Sequence, residues 1–312
     1  MNPAWSVVFF TVLAGFGQGL AVCVAVAVLA GALPAAGAFL STAIALSFGL
    51  LAIGLVASFF HLARPLRAWR AAAMWRTSWL SREVLALPAL MGVLALWWLA
   101  LVTGRAGPPA GALFALATIV LSLLLWLCTG MIYAGIRFIQ EWAHPLTLLN
   151  YLLIGLASGA VLAAGLAALA GESRLLAGAG PAAVLLTVAA ALGRLASLRR
   201  NAALRPRSTI QSATGIDARR LVQMSMGMSA GSFNTREFFH RLGAQALRRV
   251  KWAAMLFGFA VPLVLVAWGW RTGSALPLLA AVAVQAAGLV AERWVFFAQA
   301  RHPQNIFYQR VS

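Results

Sequence analysis

The sequence predicts an all-α protein, a polytopic membrane bundle of eight transmembrane helices, and three observations carry that prediction. Of its 312 residues, 62% are apolar and 10% charged. A soluble domain carries about 25% charged residues, so this chain has too little polar surface to cover itself in water. Its apolar residues fall in uncharged or nearly uncharged runs that reach the ~20 residues a helix needs to cross a hydrocarbon core about 30 Å thick. The runs are continuous instead of alternating every second residue, which excludes a membrane β-barrel and leaves helices.

The first run, Val7–Leu29, follows MNPAW, which has no basic segment. No A-x-A site closes the run, so it is expected to stay in the mature protein. GALPAAG links it to the second, Ala38–Phe60. Val84–Thr103 and Gly111–Tyr133 are joined by GRAGPP, Leu146–Ala168 and Pro181–Leu198 by GESRLLAGAG, and Trp252–Trp270 and Ala275–Phe297 by RTGS. The remaining connections hold nearly all the cations. With eight spans both termini share one face, and that face collects 21 of the 24 Lys and Arg residues; the other has only Arg105, Arg174 and Arg271. The positive-inside rule makes the basic face cytoplasmic and the location a bacterial inner membrane. The net charge of +18 thus reflects membrane orientation, and no nucleic-acid partner is expected.

Residues 1–312 read as a single integral membrane domain with one long basic loop at 199–249. In its final part, TREFFHRLGAQALRRVKW, residues Phe239, Leu242, Ala246 and Val250 recur near helical spacing. This spacing suits an amphipathic helix lying on the membrane surface, and the alternative is a solvated, merely basic loop. Small residues dominate several spans, as in GLASGAVLAAGLAALAG from Gly155 to Gly171, and suit close helix packing. No internal repeat is evident.

Candidate chemistry is confined to few residues. Cys23 and Cys128 lie inside apolar runs, where they form neither a C-x-x-C site nor an exposed disulfide. No iron–sulfur cluster is therefore expected in this chain, since such clusters typically take four thiolates. His61, His144, His240 and His302 all lie at span ends or in loops, so no haem and no other metal site is expected within the bundle. His61 ends the second span at the membrane edge, where an imidazole can hold a hydroquinone hydroxyl and take its proton. Gln18 lies within AGFGQGL in the first span and must find a partner or line a cavity. Glu292 lies inside the eighth span, where an ionisable residue points to function. Pairing with Arg293 is not expected, because adjacent side chains do not face each other on a helix.

Four stretches, SFFHLARPLRAWRAAAMWRTSWLSRE at 58–83, TVLAGFGQG at 11–19, MIYAGIRFIQEW at 131–142 and AERWVFFAQARHPQN at 291–305, resemble the membrane-anchor subunit of dimethyl sulfoxide reductase-type molybdoenzymes. The resemblance runs over essentially the whole chain. It implies eight helices with no cofactor of their own and oxidation of menaquinol, the substrate. The electrons would pass through a docked iron–sulfur subunit to a molybdopterin catalytic subunit. The family's quinol-site histidine falls on His61, where HLARP matches the H-L-G-x-P pattern with alanine for glycine. The expected site is then His61 and Glu292 for catalysis, with Arg64 and Gln18 beside the quinol. Arg67, Arg70, Arg76 and Arg82 would make charge-assisted contacts to a partner or to phosphates of the lipid bilayer. The competing class is a transporter or permease of a small solute. Such proteins place polar groups and broken helices near the bilayer midplane, whereas here polar residues collect toward one face.

Overall fold

The computed structural model describes residues 1–60, 62, 64–227, 231–240 and 242–309, which are mostly helical with no strand among them. Six long helices come first: α1 (Trp5–Leu29), α2 (Ala38–Phe59), α3 (Trp79–Val102), α4 (Pro108–Ala134), α5 (Pro145–Ala170) and α6 (Ser173–Ala202). Short helices α7 (Ile210–Thr214) and α8 (Phe233–Glu237) lie in the basic loop. The seventh span joins α9 (Ala244–Met255), a π turn at Leu256–Ala260 and α10 (Val261–Thr272), and α11 (Ala275–Ala298) is the eighth. Eight of the described segments are thus long and apolar enough to cross a membrane, and the chain is a multi-pass membrane protein. Large apolar side chains point outward from them, among them Ile53, Leu96, Leu113, Leu185 and Leu276. They give the bundle the lipid-facing surface its composition requires.

Every span matches a run predicted from the sequence, but several helices extend beyond it. α3 begins at Trp79 instead of Val84, and α6 runs from Ser173 to Ala202 instead of Pro181 to Leu198. Charge does not end a helix whose flanks are solvated, so the runs mark the greasy centre and not the ends. The extension of α3 brings Arg82 and Glu83 inside a span.

The amphipathic surface helix expected across Phe239–Val250 is corrected. Residues from Ala244 onward form the opening turns of the seventh span, while Phe239 is buried outside any helix. The basic periodic pattern is a span entering the basic face. Further along, Pro262 has no N–H to return to the carbonyl of Gly258, which accounts for the π turn there. Gln285 Nε2 on α11 approaches that released carbonyl at 3.5 Å.

The centre of the bundle is α1 against α5, the two most enclosed spans. They cross where glycine meets glycine. A Cβ on Gly19 would stand 2.1 Å from the Gly155 carbonyl oxygen, and one on Gly159 only 1.9 Å from the Gly19 carbonyl carbon. No other residue fits at this backbone separation, so AGFGQGL and GLASGA are two halves of one contact. The contact fixes Gln18, between Gly17 and Gly19, in the protein interior.

Candidate functional site

On the basic side of that crossing, polar side chains from six helices gather within an apolar bundle. Arg194 of α6 brings its Nε to 2.7 Å from Glu292 Oε1, and Arg293 Nε donates to Glu292 Oε2 at 2.6 Å. The three side chains are at most 4% exposed. The expectation that Glu292 and Arg293 do not pair is corrected. The guanidinium stem is long enough to fold back along the helix, and burial leaves both charges no water to turn to. The Arg293 guanidinium also stacks over the Tyr151 ring, 4.4 Å from its centroid. Tyr151 in turn belongs to a cluster of Tyr133, Trp142, Phe296 and Phe297 rings in stacked and edge-to-face pairs, and Trp142 Nε1 donates to the Phe296 carbonyl at 3.0 Å.

Glu83 is the second buried carboxylate. It sits about one turn into α3 at 7% exposure, and the hydroxyl of Thr129 on α4 donates to it. Among the described residues no cation pairs with it. Sequence reasoning misses Glu83 as a site residue, because counting uncharged residues places it just outside the third span. The signal is nevertheless present in SRE, which precedes the run. Ser78 caps α3 by accepting from the Ser81 N–H, and this start turns Glu83 inward.

Between the two carboxylates lies a narrow cavity of about 30 Å³ lined by α1, α4, α5 and α11. Its polar walls are Thr11, Gln18, Thr129, Tyr151, Ser158 and Arg293. Gln18 is 3% exposed, and its Nε2 has no hydrogen-bond partner. The volume holds about two water molecules and is too small for a quinone ring.

Of the residues expected at the site, the structure brings Gln18 and Glu292 to neighbouring positions, with Arg293 touching both the cavity and Glu292. His61 lies outside the described residues. Arg64 is exposed at the start of a 3-10 helix, Pro65–Met74, which leaves Leu66, Trp69 and Met74 open beside Arg67 and Arg70. Arg76 is exposed as well, and its guanidinium stacks on Trp75. Arg82 is engaged within the chain: its Nε and Nη2 donate to the carbonyls of Trp75 and Arg76 at 2.9 and 2.8 Å, and it stacks 4.1 Å from the Trp79 ring.

The basic loop is held by the C-terminal segment. Asn234 Nδ2 donates to Gln304 Oε1 and to the Tyr308 hydroxyl. Asn305 Nδ2 donates to the Phe238 carbonyl, and the His302 ring stacks 4.0 Å from that of Phe238. Burial pushes the His302 imidazole below its ordinary value.

Eight spans among the described residues, with a buried polar cluster and an exposed basic segment, define an integral multi-pass membrane protein. The family model for the DMSO reductase anchor subunit matches residues 1–297, and the chain belongs to that family of molybdoenzyme anchor subunits. It is 46% identical to a sulfite dehydrogenase subunit of Allochromatium vinosum over the full length of both chains. It is also 34% identical to an anaerobic dimethyl sulfoxide reductase chain of Escherichia coli, over 37% of this chain and 40% of that one. Membership of an anchor family implies catalytic and electron-transfer subunits in the same membrane complex.

Proposed function

We propose that this subunit exchanges two electrons and two protons between a membrane quinone and an iron–sulfur subunit docked on its basic face, with a molybdopterin subunit beyond. The observation that carries the reading is Glu83, a buried carboxylate with a hydroxyl partner and, among the described residues, no cation. Such a group can take or release a proton where a paired carboxylate cannot. It lies at the start of α3, on the face where α2 ends just before His61. In this reading His61 holds one quinone oxygen, Glu83 serves as the proton donor or acceptor, and Arg64 supports the site electrostatically. Electrons leave or enter through the partner's cluster. Glu292 is the counter-ion of two arginines and has no proton-carrying role.

The direction of transfer follows the catalytic subunit. The full-length match to a sulfite dehydrogenase subunit favours sulfite oxidation with reduction of the quinone, each quinone taking two electrons and two protons. The shorter match to an anaerobic dimethyl sulfoxide reductase chain favours the reverse, menaquinol oxidation feeding a sulfoxide. The basic face is cytoplasmic on the positive-inside argument, in an inner membrane. The test is to purify the complex with its co-eluting subunits and assay it both ways, sulfite with a quinone analogue and a quinol analogue with a sulfoxide. His61→Ala and Glu83→Gln should each lower quinone-linked turnover by roughly 100-fold or more, within the usual range for losing acid–base catalysis. Assembly and turnover with an artificial redox dye should persist. Parent-level quinone turnover in both variants would remove the site from this face.

A further inference from the structure

Gln18 is fixed in the bundle interior by the Gly19–Gly159 crossing, its Nε2 is unpartnered, and it lines a cavity with room for about two waters. We propose that Gln18 is a positioning residue: it holds a pair of buried waters that connect the Glu83–Thr129 hydrogen bond to the interior and let the Glu83 proton exchange. The inference rests on the quinone-site reading above and deepens it.

Three features converge on this role. A buried amide N–H left without a partner is costly in a low-dielectric interior, and water is the partner such a cavity admits. Thr129 belongs to both structures, since it lines the cavity and its hydroxyl donates to Glu83. A hydroxyl in that place can accept a hydrogen bond from a cavity water while donating to the carboxylate. The hydroxyls of Thr11 and Ser158 donate to carbonyls of their own helices, which turns their remaining lone pairs toward water as acceptors. The cavity thus offers donors at Gln18 and Arg293 and acceptors at Thr11, Ser158 and Thr129.

The proton balance is simple. When quinol is oxidised, both hydroquinone O–H bonds break: one proton passes to the Glu83 carboxylate, the other to the imidazole that holds the second oxygen, His61, and the two electrons go one after the other to the partner's iron–sulfur subunit. Once protonated, the Glu83 carboxyl donates to Thr129 Oγ1 and the Thr129 hydroxyl turns to a cavity water, so that the carboxyl proton moves to Thr129 as the hydroxyl proton moves to the water and on through the second water to bulk solvent. Quinone reduction runs the same transfers backward. Arg293, held by Glu292, opposes a proton resting in the cavity, so the waters act as a conduit and not as a store.

Three Gln18 variants of the whole complex test this. Gln18→Leu fills the same volume without a donor, Gln18→Ser keeps a donor and leaves space for a further water, and Gln18→Glu places a carboxylate in the cavity. Hydrogen–deuterium exchange of the Glu83 carboxyl is followed by infrared spectroscopy, its band assigned by loss in Glu83→Gln. Exchange should slow by roughly tenfold or more in Gln18→Leu and stay near the parent rate in Gln18→Ser. In turnover, Gln18→Leu should lower kcat and raise the solvent isotope effect with KM for the quinone unchanged. Gln18→Glu should shift the pH profile. Equal exchange in the Leu variant and the parent would overturn the proposal. So would a KM raised alike in Leu and Ser, because that is the behaviour of a residue touching the quinone. If the parent complex shows no quinone turnover, the quinone reading fails while the exchange measurement still decides whether the waters serve Glu83.

Discussion

Replacing Glu292 by glutamine is the sharpest test of what the buried charges do. The substitution keeps the size of the side chain and removes the one negative charge between Arg194 and Arg293, whose side chains are 3% and 4% exposed. The charge-assisted hydrogen bond from Arg293 contributes about 1.5–3 kcal/mol, and the ion contact of Arg194 is weakened with it. Independently, removing one member of a buried ion pair costs about 3–5 kcal/mol because the other charge is left in a low dielectric. The burial of the unpaired charge sets the larger figure, a loss of about 3–5 kcal/mol, with two guanidiniums left without their shared counter-ion. Scanning fluorimetry of the detergent-solubilised complex should show a clear drop in thermal stability and poor recovery of assembled protein. A neutral triple variant, Arg194→Met with Glu292→Leu and Arg293→Met, should regain much of it, since well-packed apolar residues often replace a buried ionic group without loss. Parent-level thermal stability in Glu292→Gln, together with lost quinone turnover, would refute the counter-ion account and return Glu292 to the chemistry.

Gly159→Ala should destabilise the bundle by about 1–3 kcal/mol or more, because its Cβ would enter within 1.9 Å of Gly19 and drive α1 from α5. The same melting assay checks it, and an unaffected Gly159→Ala would mean that the helices cross farther apart. Arg82→Ala removes two hydrogen bonds to carbonyls and a stacked ring at a partly exposed position, so it should speed amide exchange across residues 65–76 with little change in overall melting. Acidification should loosen the tail from the basic loop at His302. Its imidazole is held below its ordinary value of 6.5 in the folded state, so the unfolded segment binds more protons in that window. Stability present above about pH 6.5 is therefore lost as pH falls below it. Amide exchange of residues 301–309 measured on both sides of that pH should rise on the acid side, and His302→Phe should flatten the response.

Most of the architecture is legible in the sequence because lipid imposes a length and a composition on each span. The runs locate all eight helices, and the glycines around Gln18 point to a close approach. Spacing cannot say which helix approaches: the partner of Gly19 is Gly159, far along the chain. The site is less legible for a related reason. A rule that begins a span where charge ends sets Glu83 outside α3, and Arg194, near the end of the sixth run, is counted only as one more cation of the basic face. Their burial is decided by neighbours on α4 and α11. The pairing of Glu292 with Arg293 escapes helix-surface spacing rules because those rules describe solvated side chains, for which water competes.

The seventh span bears on the transporter alternative, because it carries the π turn that interrupts a helix within the bilayer. In a transporter an interrupted helix frees backbone carbonyls to bind a coupling ion. Here the carbonyl released by Pro262 is that of Gly258, and Gln285 Nε2 approaches it. Gly288 packs against the same turn so tightly that a Cβ would lie 2.0 Å from the Gly258 nitrogen. The interruption is filled by its neighbouring helix and leaves no space for an ion. The buried charges lie instead toward the basic ends of α3, α6 and α11, beside the exposed arginines proposed to meet a partner. A subunit that moves a solute would set its polar groups where the two sides of the membrane alternate, whereas this one gathers them at the face where electrons and protons would be handed over.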